Sequence, residues 1–244
     1  MNSERSKASL GDAARVAPVD LLAIYDLLFS AYGPQKWWPA ENAIEMIVGA
    51  ILVQNTAWTN ATRAIARLKA ADALSFAALD ALSEADLAEL IRPSGCYRAK
   101  ARKLKAFATH VIERHGGSLA TLFDQTAPNL RRELLAIHGI GPETADSIIL
   151  YGAQKPTFVA DSYARRLFAR LGAQERPTYT SVQAVCRQSL PADTELFNEF
   201  HALIVYHAKA HCRAKPRCIG CPLRDVCRHP GMIDTPFSDS YHDL

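Results

Sequence analysis

The sequence lacks several features that would assign it to a particular class of protein. Among its 244 residues, no apolar run approaches the roughly 18 residues that a membrane-spanning helix needs. No hydrophobic segment of the kind that directs secretion is found near its first residue, so we expect a cytoplasmic protein without a membrane partner. Sustained alternation of apolar and polar residues is missing, as are the dipeptides Asn-Gly and Asp-Gly that favour β-hairpins. These absences disfavour membrane, secreted and all-β proteins.

Acidic residues are also missing from one stretch of the chain. The composition is otherwise ordinary, with 49% hydrophobic and 22% charged residues and a net charge of +3. The acid-free stretch contains six basic residues: Arg92, Arg98, Lys100, Arg102, Lys103 and Lys105. Such segregation suits a basic face that binds phosphates, although a solvated helix face would explain it as well.

The apolar spacing predicts an all-α fold of about nine to eleven helices. Residues 1–17 are predicted to be a flexible arm and residues 231–244 a flexible tail. Between them, apolar residues recur at intervals of three and four, as in Leu21–Phe29 and Ala164–Leu171. Gly172 follows the second of these segments, where a helix C-cap glycine is expected.

Four of the six cysteines form a run with the spacing C-x5-C-x2-C-x5-C: Cys212, Cys218, Cys221 and Cys227. Four thiolates can hold either zinc or an iron–sulfur cluster. Zinc ribbons usually carry two Cys-x-x-Cys pairs, whereas this run has one, which favours a cluster. Two disulfides are the alternative, and a reducing compartment disfavours them. The remaining cysteines, Cys96 and Cys186, are predicted to be buried structural thiols.

A short turn between two helical segments, residues 134–145, predicts a phosphate-binding hairpin. Gly139 and Gly141 are expected to adopt backbone conformations that other residues avoid and to keep side chains out of the way, and Pro142 suits the first position of a helix. Ile140 would pack between the two helices and hold them together. The exposed N–H groups beside a positive helix end could then bind a DNA phosphate. A plain connection between two helices is the alternative.

The hairpin, Asp161 and the four cysteines together resemble the helix-hairpin-helix DNA glycosylases of the endonuclease III type. The resemblance extends from about Tyr32 to Cys227 and includes Gln54-Asn55-Thr56 and residues 92–101. It implies two helical domains flanking a DNA-binding cleft. One is a six-helix domain, residues 35–155, that carries the hairpin. The other is a discontinuous domain, residues 18–34 plus 156–230, that carries the cysteines. The first cysteine gap is five residues, where this family usually has six.

The resemblance also implies a [4Fe-4S] cluster, a monovalent cation at the hairpin, and a monomer that binds double-stranded DNA with a damaged base. Gln54 corresponds to the residue that fills the gap left by the rotated base, and Cys96 or Tyr97 to the wedge opposite it. The residues implied to contact DNA are Gln54, Tyr97, Arg98, Lys100, His138, Gly139, Ile140, Gly141 and Thr144.

The catalytic residues implied are Asp161 and Glu143. Asp161 matches the family aspartate that stabilises positive charge on the sugar and helps to orient water. Its position before an apolar helix also predicts an N-cap, and a carboxylate has an oxygen for each role. Bifunctional members have a lysine where this chain has Glu143, and a carboxylate cannot form an imine. The sequence therefore indicates a monofunctional glycosylase, unless another amine such as Lys155 reaches the sugar.

Three tryptophans, Trp37, Trp38 and Trp58, resemble the base pocket of a subgroup that removes 3-methyladenine. Aromatic faces favour a cationic alkylated base, although core packing would also explain them. An endonuclease III-like enzyme for oxidised pyrimidines with AP-lyase activity and an adenine glycosylase are alternatives within the class. A non-catalytic DNA-binding or redox-sensing iron–sulfur protein is the alternative from another class.

Overall fold

The computed structural model describes residues 19–229, so the predicted arm (1–17) and tail (231–244) lie outside the described residues. Within the described range the fold is all-α, as predicted, and contains no β-strand. The helices are α1 Leu21–Tyr32, α2 Ala43–Leu52, α3 Trp58–Ala70, α4 Phe76–Ala81, α5 Glu84–Leu90, α6 Tyr97–His115, α7 Leu119–Phe123, α8 Ala127–Ala136, α9 Pro142–Ser147, α10 Ser162–Leu171, α11 Tyr179–Ser189 and α12 Thr194–Ala210. A 3-10 turn, Arg92–Ser94, precedes α6, and a π-helical turn, Ile148–Gly152, continues α9.

The expected number of helices was too low, because residues 19–229 form twelve α-helices. Three of them, α4, α5 and α7, have only six, seven and five residues. Segments this short do not complete two turns with a repeating apolar pattern, so periodicity cannot identify them. Their starts are instead set by serine N-caps at Ser75, Ser83 and Ser118, whose side chains accept backbone hydrogen bonds.

The two helices predicted from apolar spacing are confirmed. Asp20 caps α1 by accepting from the backbone N–H groups of Leu22 and Ala23. At the end of α10, Gly172 has a φ of 73°, and its N–H bonds back to the helix carbonyls as a C-cap glycine should. Both helices therefore begin and end where their capping residues allow.

The helices pack as two neighbouring sets. The long helix α6 contacts α2, α4, α5 and α7, and α9 contacts α2 and α8. Separately, α12 contacts α1 and α10, and α11 contacts the same two helices. Phe158, Phe168, Phe197 and Phe200 are fully buried in the core of this second set. The division into two domains at the stated boundaries stays a prediction.

The π-helical turn joins the two sets, because it contacts both α2 and α12. A cleft between the sets is bounded by the turn after α2, by α9, by the start of α10 and by α12. None of the described helices is both long and apolar enough to cross a membrane.

Candidate active site

The cleft contains a cavity of about 590 Å³. Its walls include most of the residues predicted to act on a base: Trp37, Trp38, Trp58, Gln54, Glu143, Thr144 and Asp161. These residues come from four separate segments of the sequence, and the fold brings them together. The cavity lining also includes Tyr163, Arg165, His201 and Lys209, for which the sequence offered no signal.

One wall of the cavity is aromatic. Trp38 lies at the centre of this wall, with its ring centroid 5.4 Å from Trp37, 5.2 Å from Trp58 and 5.2 Å from Tyr151. All three tryptophans are partly buried, so each packs against the core with part of its side chain and leaves the rest exposed. The ring of Trp58 lies against Gly49 of α2, where an added Cβ would be 3.3 Å away. The helix backbone therefore supports the aromatic wall from behind.

Asp161 faces the aromatic wall from the start of α10. It is 8% exposed, and its Oδ1 accepts the backbone N–H of Ala164 at 2.8 Å. This bond is the predicted N-cap. Its second oxygen, Oδ2, has no hydrogen-bond donor within the described part of the chain, and His201 Nε2 lies 3.5 Å from it. One carboxylate oxygen thus fixes the residue on the helix, and the other remains available to the cavity.

His201 and Tyr151 form a buried support behind Asp161 that sequence reasoning missed. The Tyr151 hydroxyl and His201 Nδ1 are hydrogen-bonded. Burial raises the pKa of Tyr151 well above its usual range, so the hydroxyl keeps its proton and can donate to Nδ1. A neutral imidazole that accepts at Nδ1 carries its own proton on Nε2, which is the nitrogen that faces Asp161. Neither residue stands in a recognisable motif, because their proximity arises only from packing of the π-helical turn against α12.

Glu143 is the second carboxylate of the cavity. It lies in the first turn of α9, where the helix dipole favours an acid. The residue is open to the cleft, yet the surrounding protein partly desolvates its carboxylate. This desolvation, and then the nearby charge of Asp161, raises the pKa of Glu143 above its ordinary value.

The predicted hairpin joins α8 to α9, and its two glycines differ. Gly139 has a φ of 79°, a conformation that other residues avoid, so this part of the prediction is correct. The predicted backbone conformation of Gly141 is wrong, because its φ of −90° is open to any residue. A Cβ at Gly141 would meet no atom within 4 Å, so the surface beside it is open. Ile140 is buried and plugs the helices together, and Pro142 begins α9 as expected.

The hairpin is connected to Gln54 through a lysine. Gln54 Nε2 donates to Thr144 Oγ1 at 2.8 Å, and its Oε1 accepts from Lys103 Nζ at 2.5 Å. The stem of Lys103 lies on Gly139, where an added Cβ would be 2.3 Å from the Lys103 Cγ. Residues predicted separately as a gap filler and as a phosphate-binding turn are therefore in one contact network.

The acid-free basic stretch does not form the predicted basic face. The prediction that Lys100 contacts phosphate is wrong, because Lys100 is 2% exposed and its ammonium donates to the carbonyls of Leu52 and Ser94. Lys105 donates to carbonyls at the end of α4, at Asp80 and Leu82. Desolvation lowers the pKa of Lys100 to about 8. The ammonium groups of Lys100 and Lys105 therefore connect α6 to neighbouring segments.

The exposed arginines of this stretch also have partners in most cases. Arg92 pairs with Glu89 and Arg102 with Glu84. Arg98 is exposed, and within the described residues no acidic partner was found for it. Of the predicted phosphate contacts in α6, only Arg98 has an exposed side chain, and its contact with DNA stays a prediction.

The residues before α6 require another correction. Cys96, predicted to be a buried thiol, is exposed in a turn with a φ of 44°. The reversal of the chain between the 3-10 turn and α6 turns it outward. Tyr97 is half-buried, with the Arg92 guanidinium 6.0 Å from its ring centroid. Cys186 is fully buried, as predicted.

The four terminal cysteines are all free thiols, so the alternative of two disulfides does not describe the structure. They form a loop against α10 and α12. Arg170 donates to Cys212 Sγ at 3.1 Å and to two loop carbonyls, and His207 Nε2 lies 3.9 Å from Cys221 Sγ. Burial, and also the neighbouring thiol charges, raise the pKa of Cys221 and Cys227. The thiols are thus close enough to affect one another's ionisation.

Comparison with known proteins places this arrangement in context. A family profile described as HhH-GPD superfamily base excision DNA repair protein matches residues 48–192. A protein of Methanocaldococcus jannaschii named as a DNA repair glycosylase is 44% identical over 206 residues, covering 84% of this chain and 94% of that protein. Endonuclease III of Thermotoga maritima is 29% identical over 143 residues, covering 58% of this chain and 62% of that protein.

Two solved structures share the fold. The 3-methyladenine DNA glycosylase MagIII of H. pylori, bound to 1,N6-ethenoadenine, has a TM-score of 0.68 and 27% identity, covering 79% of this chain and 98% of that one. An endonuclease III–DNA covalent intermediate has a TM-score of 0.74 and 22% identity, covering 85% of this chain and 94% of that one. The second likeness concerns the fold alone.

Proposed function

The chain belongs to the HhH-GPD superfamily of base excision DNA repair proteins and is a DNA glycosylase of the endonuclease III type, and from this premise we propose that it is monofunctional and removes an alkylated purine such as 3-methyladenine. The proposal depends on one observation, a cavity that combines three features. They are an aromatic wall, an aspartate with only one of its oxygens hydrogen-bonded, and a glutamate where the family has a lysine. Double-stranded DNA is the proposed partner, bound by a monomer.

In the proposed reaction, Asp161 acts on the sugar of a nucleotide rotated into the cavity. Cleavage of an N-glycosidic bond builds positive charge on that sugar. The Oδ2 of Asp161 is fixed by the N-cap bond of its partner oxygen, so it needs little reorganisation to stabilise this charge. The same oxygen can accept a proton from the attacking water. Released base and an abasic sugar are the products.

The aromatic wall and the two carboxylates support a cationic base as the substrate. A 3-alkylated adenine carries a positive charge, which the faces of Trp37, Trp38 and Trp58 attract more strongly than they attract a neutral base. Glu143 adds negative charge to the same cavity. MagIII, which is 27% identical, is named for 3-methyladenine and was solved with an ethenoadenine base. An enzyme for oxidised pyrimidines would lack this need for electron-rich faces.

Glu143 supports the absence of lyase activity, because its carboxylate cannot attack the sugar as an amine does. Lys155, the substitute amine considered from the sequence, is not part of the cavity lining, whereas Lys209 on α12 is. Lys209 therefore favours a second candidate, a bifunctional glycosylase in which this lysine forms the imine.

For the cysteine loop we propose a [4Fe-4S] cluster held by Cys212, Cys218, Cys221 and Cys227. Four thiols of one loop can supply the four ligands of such a cluster, and Arg170 donates to one of them, Cys212 Sγ, at 3.1 Å. Bound there, a cluster would join the loop to α10 and α12 through covalent ligand bonds. The monovalent cation at the hairpin also stays a proposal.

A panel of duplexes tests the substrate. Each duplex contains one 3-alkylated adenine, ethenoadenine, oxidised pyrimidine or mispaired adenine, and alkali after incubation reveals abasic sites. We expect base release from the alkylated purines. Release from oxidised pyrimidines alone would contradict the substrate assignment, and release from no duplex would favour the non-catalytic alternative.

Borohydride trapping tests the monofunctional assignment independently of the substrate. The wild-type protein should release base and form no covalent adduct with DNA. If an adduct forms and is lost in Lys209→Ala, the bifunctional candidate is correct. Lys155→Ala is the matched control, because Lys155 lies outside the cavity lining.

A further inference from the structure

A second group of converging side chains lies outside the cavity, at the end of α6. His110 and His115 belong to α6, and Glu133 belongs to α8. His110 Nε2 lies 2.7 Å from Glu133 Oε1, and His115 Nε2 lies 2.6 Å from the same oxygen. All three ligand atoms lie within 4.8 Å of one another. We propose that His110, His115 and Glu133 bind a divalent transition-metal ion, with zinc as the best-matched metal.

The donor set suits zinc. Two imidazole nitrogens and one carboxylate oxygen are a known three-ligand set for this ion, with water completing a tetrahedron. The harder cations magnesium and calcium prefer sets made of oxygen alone. An ion between the three atoms would replace the two contacts that the imidazoles now make with Glu133. The required movement is small, because both nitrogens already point at one oxygen.

The surroundings hold the carboxylate ready as a ligand. Gln125 Nε2 donates to the other oxygen, Glu133 Oε2, at 2.6 Å, which orients the carboxylate as outer partners of metal ligands do. Within the described residues, Glu133 forms ion pairs with the two histidines and with no other cation. The three side chains are 20%, 11% and 22% exposed, so an ion can reach them from solvent.

The position of the site connects it to the hairpin. Helix α8 leads directly into the turn with Gly139, and α6 carries the Lys103 that lies on that glycine. A bound ion would fasten the C-terminal end of α6 to the last turn of α8, just before the hairpin. We therefore assign the site a structural role, separate from the chemistry in the cavity.

The test is zinc binding by the full chain without an affinity tag, using zinc chloride alone in calorimetry and thermal melts. Wild type is compared with the double variant His110→Ala/His115→Ala and with His138→Ala, which removes an exposed histidine from the hairpin turn. All three proteins keep the four cysteines, so zinc held by thiols cancels. We expect the double variant to bind one zinc ion fewer per chain, and His138→Ala to match wild type.

Zinc at about 100 times its dissociation constant should raise the wild-type melting temperature by roughly 5–10 °C, and the double variant should lose most of this rise. If the double variant does not fold, Glu133→Gln decides, with an expected loss of at least about tenfold in zinc affinity. Equal zinc stoichiometry in wild type and variant would overturn the proposal. So would a zinc-induced rise in melting temperature that is equal in wild type and the double variant.

Discussion

Two buried aspartates, Asp146 and Asp161, show how this fold uses the same side chain in opposite ways. Asp146 on α9 is completely buried and accepts hydrogen bonds from Arg131 at 2.8 and 3.1 Å, Tyr179 at 2.8 Å and Gln183 at 2.9 Å. Asp161 accepts one backbone bond, on one oxygen. Its other oxygen faces the cavity and has His201 as a distant neighbour.

The difference teaches which of the two can act on a substrate. A carboxylate whose lone pairs are all occupied ties its own helix to those that supply its donors, here α9 to α8 and α11. A carboxylate with one free oxygen keeps an uncompensated negative charge beside the cavity. Burial alone does not distinguish them, whereas the number of donors does.

The largest expected effect comes from exchanging each aspartate for asparagine. Asp161→Asn should reduce base release by at least about 10²- to 10³-fold, because the charge that stabilises the sugar cation is lost. Its stability should change by less than about 1 kcal/mol, since asparagine remains a good N-cap. Asp146→Asn should instead lower the free energy of unfolding by about 2–3 kcal/mol, because Arg131 loses its partner. Single-turnover base release and urea denaturation measure the two effects.

DNA affinity provides the control for this pair. Asp161→Asn should bind a lesion duplex about as tightly as wild type does. If Asp161→Asn retained base release while a folded Asp146→Asn lost it, the assignment of roles would be reversed.

Glu133 extends the comparison to a carboxylate held by imidazoles. Its pKa in the folded state is about 2, below the ordinary value of 4.5, so the unfolded chain binds its proton first as pH falls. The stabilisation is therefore present above about pH 4.5 and is lost as pH falls toward 2. We expect wild type to exceed Glu133→Gln in free energy of unfolding by about 2–3 kcal/mol at neutral pH. Urea denaturation in chelator between pH 7 and pH 3 should show this advantage shrinking, and a constant difference would contradict the pKa.

Tyr151→Phe tests the support behind Asp161. Without the hydroxyl, His201 can place its proton on either nitrogen, and the N–H that faces Asp161 is no longer fixed. We expect single-turnover base release to fall about tenfold while DNA affinity is unchanged. A change in stability without this fall in base release would show that Tyr151 only fills space.

The smallest effect is expected on the DNA-facing surface. Arg98→Ala should weaken DNA binding about three- to tenfold and reduce the slope of log affinity against log salt by about 0.9. Arg102→Ala is the matched control on the same helix, because Arg102 already pairs with Glu84 at 3.3 Å. Equal effects of the two substitutions, measured by fluorescence anisotropy at several salt concentrations, would show that the pairing does not restrain Arg102.

Local signals in the sequence predicted the parts of the fold that depend on neighbouring residues. The N-cap role of Asp161, the C-cap at Gly172 and the turn at Gly139 each depend on a few adjacent positions, and the structure confirms them. Lys100 and His201 could not be assigned this way. The burial of Lys100 requires carbonyls from two other segments, and the contact of His201 with Tyr151 joins elements distant in sequence.

The candidate cavity was predicted in outline through the family resemblance, which named the tryptophans and Asp161. Its remaining residues, such as Lys209 and Arg165, depend on how α10 and α12 pack. At Gly141 the expected freedom from side chains agrees with the open space beside it, whereas the expected backbone angle does not occur.

The contact between Lys103 and Gly139 has a consequence for protein engineering. An alanine at position 139 would collide with the lysine stem, and the displaced lysine would release the amide it holds on Gln54. Position 139 should therefore be substituted only together with position 103. A side chain at position 139 will need a shorter residue at position 103 to accompany it, and the positive φ at 139 adds backbone strain that the shorter residue does not relieve.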